Sequence, residues 1–254
     1  MKSISRRTAI KTIGTTVGFS FVGLPAFSQT KDKDSQKNKK LKVVVVGAHP
    51  DDPETICGGT MALFANTGHD VVSAYLTLGE AGIVGKSHEE AARIRTAEIM
   101  EACHILKVRP EFLGQIDGSC EINALQYKKM QEFLNKEDPD IVFTHWPIDT
   151  HRDHRICSSL VLDAWYHMQR KFDLYYCEAM TGAQSQNFYP TDYVDITSII
   201  EQKHKACFVH KSQRIEEEYP LYHGQMESFR GMEYNCEFAE AFVRHFQKPK
   251  ISIL

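Results

Sequence analysis

The run of four valines within residues 41–47, LKVVVVG, most constrains what this chain can fold into. Apolar β-branched residues at successive positions load both faces of a strand. Such a strand has to be covered on both sides, which is the situation of a central parallel strand between two helical layers. The run ends in Gly47, and AHPDDPE follows at once, so that His49, Asp51 and Asp52 come just past the strand's carboxyl end. In open parallel sheets ligands bind beyond those ends, where the strand order reverses. The three polar groups are therefore expected to line a crevice and not to be buried.

The rest of the chain agrees with that beginning. Strands are expected at 71–77, 111–114, 141–147, 173–179 and 193–197, and helices at 88–106, around Tyr127–Leu134 and from about 153 to 170. Ile156, Leu160, Ala164 and Met168 recur every four residues and give the last of these an apolar face. Gly58-Gly59 reads as the opening of a short helix that Gly68 closes, LGEAGIVGKS reads as a Gly-rich loop, and the C-terminal third as charged helix mixed with aromatic loop. Alternating strands and helices imply an α/β fold, a Rossmann-like doubly wound, mostly parallel sheet with helices on both faces. The 254 residues suit a single domain, expected at 41–254.

What precedes that domain has a different character. Arg6 and Arg7 stand before a mildly apolar stretch that ends in small residues at Ala26 and Ser28. SRRTAIK resembles a twin-arginine export signal, with Ala9 where Phe is common. Residues 1–28 are expected to direct export to the periplasm or medium, and the charged segment 29–40 to be a disordered tether. Beyond the N-terminus no apolar run is long enough to span a bilayer. The net charge of −3 argues against nucleic acid or an anionic membrane as partner. Seven scattered cysteines without a CxxC pair are no disulfide framework, although one pair could close in an oxidising compartment.

A second polar cluster, THWPIDTHRDHR at 144–155, follows the strand expected at 141–147 and supplies His145, Asp149, His151, Asp153 and His154. His-Pro-Asp and Asp-Asp-Pro are ordinary turn chemistry, and either cluster alone could be structural. Two strand ends that each present His and Asp point to one shared site, with a ligand set suited to zinc or a similar divalent ion. GxGxxG and GxSxG are absent, so nucleotide binding and serine hydrolysis have no support. Cys57 has apolar neighbours and is a poor thiol nucleophile. Trp146 could stack on a sugar or simply pack, Asp149 could cap its loop, and Glu80 could border the pocket. His210 reads as a helix-surface residue, and His69, His88, His104, His167, His204, His223 and His245 as surface or core residues.

AHPDDPE with a later HRDH resembles the LmbE/PIG-L-like family of zinc-dependent deacetylases, and the likeness covers most of the chain after the tether. GGTMALFANTGHDV followed by LTLGEAG is similar, as are Arg95-x-x-Glu98 and the series Asp195–Thr197, Lys203, His210 and Ser212-Gln213. The family often has Glu directly after the two aspartates; here Pro53 intervenes before Glu54. The resemblance implies that His49, Asp52 and His154 bind the metal, zinc or another divalent ion such as iron(II). It further implies Asp51 as general base, His151 facing the substrate and sharing, when protonated, the charge of the tetrahedral oxygen, Asp153 orienting a neighbouring His, and Arg95 as a substrate contact. Three protein ligands leave a position for water, as catalytic zinc requires. The implied activity is removal of acetyl from an N-acetylated amino sugar, on a small molecule or glycan. A zinc amidase or esterase with another substrate, a carbohydrate-binding protein with a decayed site, and a structural metal site are the alternatives; the last favours cysteine ligands, which this set lacks.

Overall fold

The structure, a computed structural model, describes residues 40–246. In chain order its elements are β1 (Lys42–Gly47), α1 (Asp52–Asn66), β2 (Asp70–Tyr75), α2 (His88–Leu106), β3 (Arg109–Phe112), α3 (Ala124–Glu137), β4 (Ile141–His145), α4 (Arg152–His167) and β5 (Asp173–Cys177). Then come β6 (Asp192–Asp195), α5 (Ile200–Cys207), the short α6 (Ile215–Glu218), α7 (His223–Tyr234) and β7 (Ala239–Arg244). The export signal expected at 1–28 and the tether expected at 29–40 lie outside the described residues, save for Lys40.

One sheet holds all seven of these strands in the order β3-β2-β1-β4-β5-β7-β6. β3, β2, β1, β4 and β5 run parallel, and β7 is antiparallel to both of its neighbours. The valines of β1 divide between two cores as their alternation requires. Val44 and Val46 pack with Met130 of α3 and with Ile156 and Leu160 of α4. Val43 and Val45 pack on the other face with Ile56 and Met61 of α1, Leu106 of α2 and Ala206 of α5. The fold is thus the expected doubly wound, mostly parallel sheet with helices on both faces.

Local chemistry sets several boundaries. Ser87 caps α2 by accepting from the Glu90 N–H at 3.2 Å, which is why this helix begins where its Ala/Glu pattern does. α1 begins six residues before the expected glycine opening, with Pro53 in its first turn. Gly58 and Gly59 lie inside it. A Cβ on Gly59 would sit 2.6 Å from Ile196 Cγ2, so the pair serves close helix packing and not helix initiation. The aromatic C-terminal third also holds β7, whose AEAFVR pairs antiparallel with β5 and β6, both distant from it in the chain.

Candidate active site and metal centre

The strand order reverses between β1 and β4, and both polar clusters emerge there, side by side. Gly47 is needed at the end of β1 because a Cβ there would lie 2.6 Å from Pro53 Cδ, inside the first turn of α1. The chain then turns through Asp51, which has φ 93°, a left-handed conformation that a non-glycine residue adopts at a cost. Asp52 opens α1, and its Oδ2 accepts the His49 N–H at 2.7 Å. His151 plays the matching part at β4: it caps α4, its Nδ1 accepting the Asp153 N–H at 3.2 Å. Asp153 and His154 then face inward, while the Arg152 side chain is more than half exposed.

Asp52 is the hub. Its Oδ2 lies 3.2 Å from His49 Nδ1 and 3.2 Å from His145 Nε2, and its Oδ1 lies 3.4 Å from His154 Nε2. A carboxylate stands behind each of two rings. His49 Nε2 faces Asp117 at 3.2 Å and Asp153 at 3.4 Å, and His154 Nδ1 faces Asp149 at 3.3 Å. Such partners hold the proton on the outer nitrogen and turn the other lone pair inward. His49 Nδ1 and His154 Nε2 therefore stand beside Asp52 as nitrogens whose lone pairs could ligate a metal ion. The His151 ring lies 4.7 Å from that of His49 and 4.6 Å from that of His154, and ring nitrogens of the three histidines come within 4.8 Å of one another.

Electrostatics fit a cation at this place. Burial works against charge on His154, but Asp52 and Asp149 prevail and push its pKa up to about 9. His49 is likewise buried, yet Asp117, Asp153 and Asp52 hold it well above the imidazole range. Asp52, despite burial, is held well below the carboxylate range by His154 and His145. A field that draws positive charge onto two imidazoles around one carboxylate also favours a divalent ion between them, and borderline N/O donors suit zinc or its neighbours.

Asp51 stands apart from that hub. Its Oδ2 accepts from Arg95 Nη2 at 2.9 Å, and burial, opposed by Arg95, pushes its pKa up to about 7. Arg95 also donates to the Pro50 carbonyl and is almost wholly buried. Gly79 and Gly82 lie so close to its guanidinium that neither has room for a Cβ, which explains the glycines of LTLGEAG. Arg95 borders the cavity, but its Nη2 is committed to Asp51 and the Pro50 carbonyl. Glu98, one turn on, accepts from the Ser212 N–H at 2.8 Å and hydroxyl at 2.7 Å, and Gln213 donates to the Gly82 carbonyl at 3.0 Å.

These groups border a cavity of about 420 Å³, lined by His49, Asp51, Asp52, His151 and His154 together with residues of α6 and the start of α7. His49 and Asp52 line it yet are more than nine-tenths buried, so the expectation of unburied groups holds only for access from the cavity. Asp153 is fully buried, and its carboxylate serves His49, which follows the neighbouring strand β1, and not the histidines beside it in sequence. His151 is pulled below its ordinary value by burial, with His154 and His49 adding to this, and because its Nδ1 accepts the Asp153 N–H, Nε2 is the ring nitrogen left to carry a proton toward the cavity.

Other expectations meet mixed outcomes. Trp146 packs: its indole donates to the Gln186 carbonyl at 2.9 Å and meets Tyr176 and Phe188 edge-on. Asp149 does cap its loop, accepting the His151 N–H at 2.7 Å, besides holding His154. Glu80 accepts the Asp117 N–H at 3.1 Å and so steadies a site residue from behind. His210 is not on a helix surface. It is wholly buried, 3.7 Å from Glu54, whose own carboxyl accepts from Tyr75 and is pushed by burial up to about 8. Asp117 is not picked out by the sequence, and His223, expected as a surface or core residue, is buried and lines the cavity. Asp117 lies past the carboxyl end of β3 and the strand-end rule could have found it; nothing local marks His223, which α7 brings to the cavity. All seven cysteines are free, six of them buried.

Comparison with known proteins agrees with this geometry. The family profile PIG-L: GlcNAc-PI de-N-acetylase matches residues 44–165, the stretch that holds both clusters. Diacetylchitobiose deacetylase of Thermococcus kodakarensis is 30% identical over 202 residues, covering 73% of this chain and 74% of that protein. A probable N-acetyl-α-D-glucosaminyl L-malate deacetylase 2 of Bacillus cereus is 28% identical over 182 residues, 67% of this chain and 83% of the relative. The fold matches that of N,N'-diacetylchitobiose deacetylase from Pyrococcus horikoshii with a TM-score of 0.73 at 24% identity, over 89% of this chain and 95% of the other. Sequence, strand-end clusters and sheet order converge, and the chain belongs to the PIG-L family of deacetylases.

Proposed function

We propose that the protein is a metal-dependent hydrolase that removes the acetyl group from an N-acetylated amino sugar, an N-acetylglucosaminyl glycoside or glycan. The observation that carries this reading is the divergence of two adjacent carboxylates. Asp52 is enclosed by three histidines, while Asp51 turns away to Arg95 and the cavity. A binding or structural metal site has no use for a free base beside its donors. The relatives named above, a diacetylchitobiose deacetylase and an N-acetylglucosaminyl malate deacetylase, support the amino sugar.

A divalent ion held by His49, Asp52 and His154, zinc or iron(II), would supply Lewis acidity toward the amide carbonyl and acidify water. Asp51, poised near neutrality, takes the proton of the attacking water. Arg95 fixes the direction from which it does so. His151 Nε2–H donates to the oxygen that gains charge as the carbonyl carbon becomes tetrahedral. The C–N bond then breaks, and Asp51 returns its proton to the amine nitrogen, leaving acetate and a free amino sugar.

The test is acetate release from N-acetylglucosamine and its glycosides by protein stripped of metal and reloaded with zinc or iron(II). Activity that needs the metal and disappears in Asp51→Asn, with metal content unchanged, supports the assignment. Reloaded protein that releases acetate from none of these sugars overturns the amino-sugar reading and favours another amide. We also propose export directed by residues 1–28, carried by Arg6 and Arg7. Changing both arginines to lysine should strand the protein inside the cell on fractionation, and undiminished export would count against the twin-arginine route.

A further inference from the structure

We propose that the substrate carries an apolar aryl or alkyl group on its sugar, and that a second cavity, beside the catalytic one, receives it. This rests on the deacetylase reading of the first cavity. The second cavity, of about 360 Å³, is walled by Met180, Leu221, Tyr222, Met226 and Phe229. Met180 lines both cavities and is the wall they share.

The change of chemistry at that shared wall is abrupt. The catalytic side presents imidazoles, carboxylates and the Arg95 guanidinium. The far side presents mostly thioether, aliphatic and aromatic groups, with Thr181 and Gln225 as its uncharged polar residues, and leaves Leu221 at 62% and Phe229 at 50% exposure. Its charged residue, Arg230, is neutralised in place: Nε and Nη2 each donate to Glu178 at 2.7 Å, and Nη1 donates to Glu233 at 2.6 Å. The guanidinium also lies over the Phe229 ring, 5.2 Å from its centre. No cation remains there for a phosphate or carboxylate, and burying the apolar wall is the main gain available to a ligand. A ligand that spans both cavities is polar at its acetamido end and apolar at the other.

The experiment compares kcat/KM for methyl and phenyl N-acetylglucosaminides in the metal-loaded wild type, Phe229→Ser and Phe229→Leu. The phenyl glycoside should be preferred by about 10-fold or more, as for a group filling an apolar pocket. Phe229→Ser should erase most of that preference, and Phe229→Leu should keep most of it. Equal rates for the two glycosides, or a preference that survives Phe229→Ser, overturn the proposal. If neither glycoside releases acetate, the deacetylase reading fails separately. Calorimetric titration with the same two glycosides then decides the subsite: tighter phenyl binding that Phe229→Ser removes supports it, and equal binding overturns it. Sedimentation of the same variants reads the competing occupant; a dimer that Phe229→Ser dissociates, with no change in glycoside preference, assigns the face to a second copy instead.

Discussion

Arg95 Nη2 and Asp51 Oδ2 lie 2.9 Å apart, joining the middle of α2 to the turn that follows β1. A carboxylate this buried would drift toward protonation without a cation beside it, and with a loosely held cation it would lose its aim. In the proposed reaction this makes Arg95 a positioning residue for the base. Arg95→Lys, which cannot reach Asp51 and the Pro50 carbonyl with one planar group, should lower kcat by about 100-fold while KM changes little. A rise in KM at constant kcat would instead make Arg95 a substrate contact.

Asp149 Oδ2 lies 3.3 Å from Nδ1 of His154, one of the proposed metal ligands. Asp149→Ala should weaken zinc binding by about 10–100-fold, read by chelator competition, with activity recovered at high zinc. Asp153→Ala should act likewise through His49. Unchanged affinity in both variants would mean that these carboxylates serve the loops alone.

A buried ion cluster fastens α5 to α7 and β7: Lys203 Nζ lies 2.7 Å from Glu227 and 2.8 Å from Glu240. Lys203→Met leaves two buried carboxylates without their cation and should cost about 3–5 kcal/mol, seen as a lower midpoint of denaturant unfolding. Burial pushes Glu227 up, but Lys203 and its other partners overcome this and hold it at about 2 instead of 4.5. Because the folded pKa is depressed, this stabilisation is complete above about pH 4.5 and is lost as the pH falls toward 2. The wild type should lose stability over that window, and Lys203→Met, in which only His204 and Tyr219 still hold Glu227 down, should lose less.

Gly59→Ala should destabilise the domain although alanine is the better helix former. The added Cβ would stand 2.6 Å from Ile196 Cγ2 and 3.1 Å from Glu240 Oε1. Overpacking of this kind costs about 1–3 kcal/mol, more than the helix propensity returns. An unchanged unfolding midpoint would show that the β6 end can move aside.

The central architecture was readable because each signal is local. Four valines demand cover on both faces, Ala/Glu periodicity marks α2, and an apolar stripe marks α4. The start of α1 is not legible in the sequence, because glycines that serve packing look like glycines that open a turn. β7 is not legible either, because its pairing is decided by β5 and β6, and its own six residues carry no strict alternation. His210 was misplaced because nothing in KSQ or its neighbours reveals that Glu54 lies behind it.

Taken by itself, the sequence determined that two His/Asp clusters leave the carboxyl ends of strands and which residue types stand there, since backbone direction and apolar periodicity act over a few residues. Tertiary structure alone decided the pairings: Asp153 with His49 and not with its neighbours, Asp117 as a second partner of that ring, Arg95 on Asp51, and α7 delivering His223 to the cavity. Those pairings depend on which strand lies beside which and on how far each helix is pushed by its own packing. Such contacts join residues up to about a hundred positions apart, and no short stretch of sequence contains both partners.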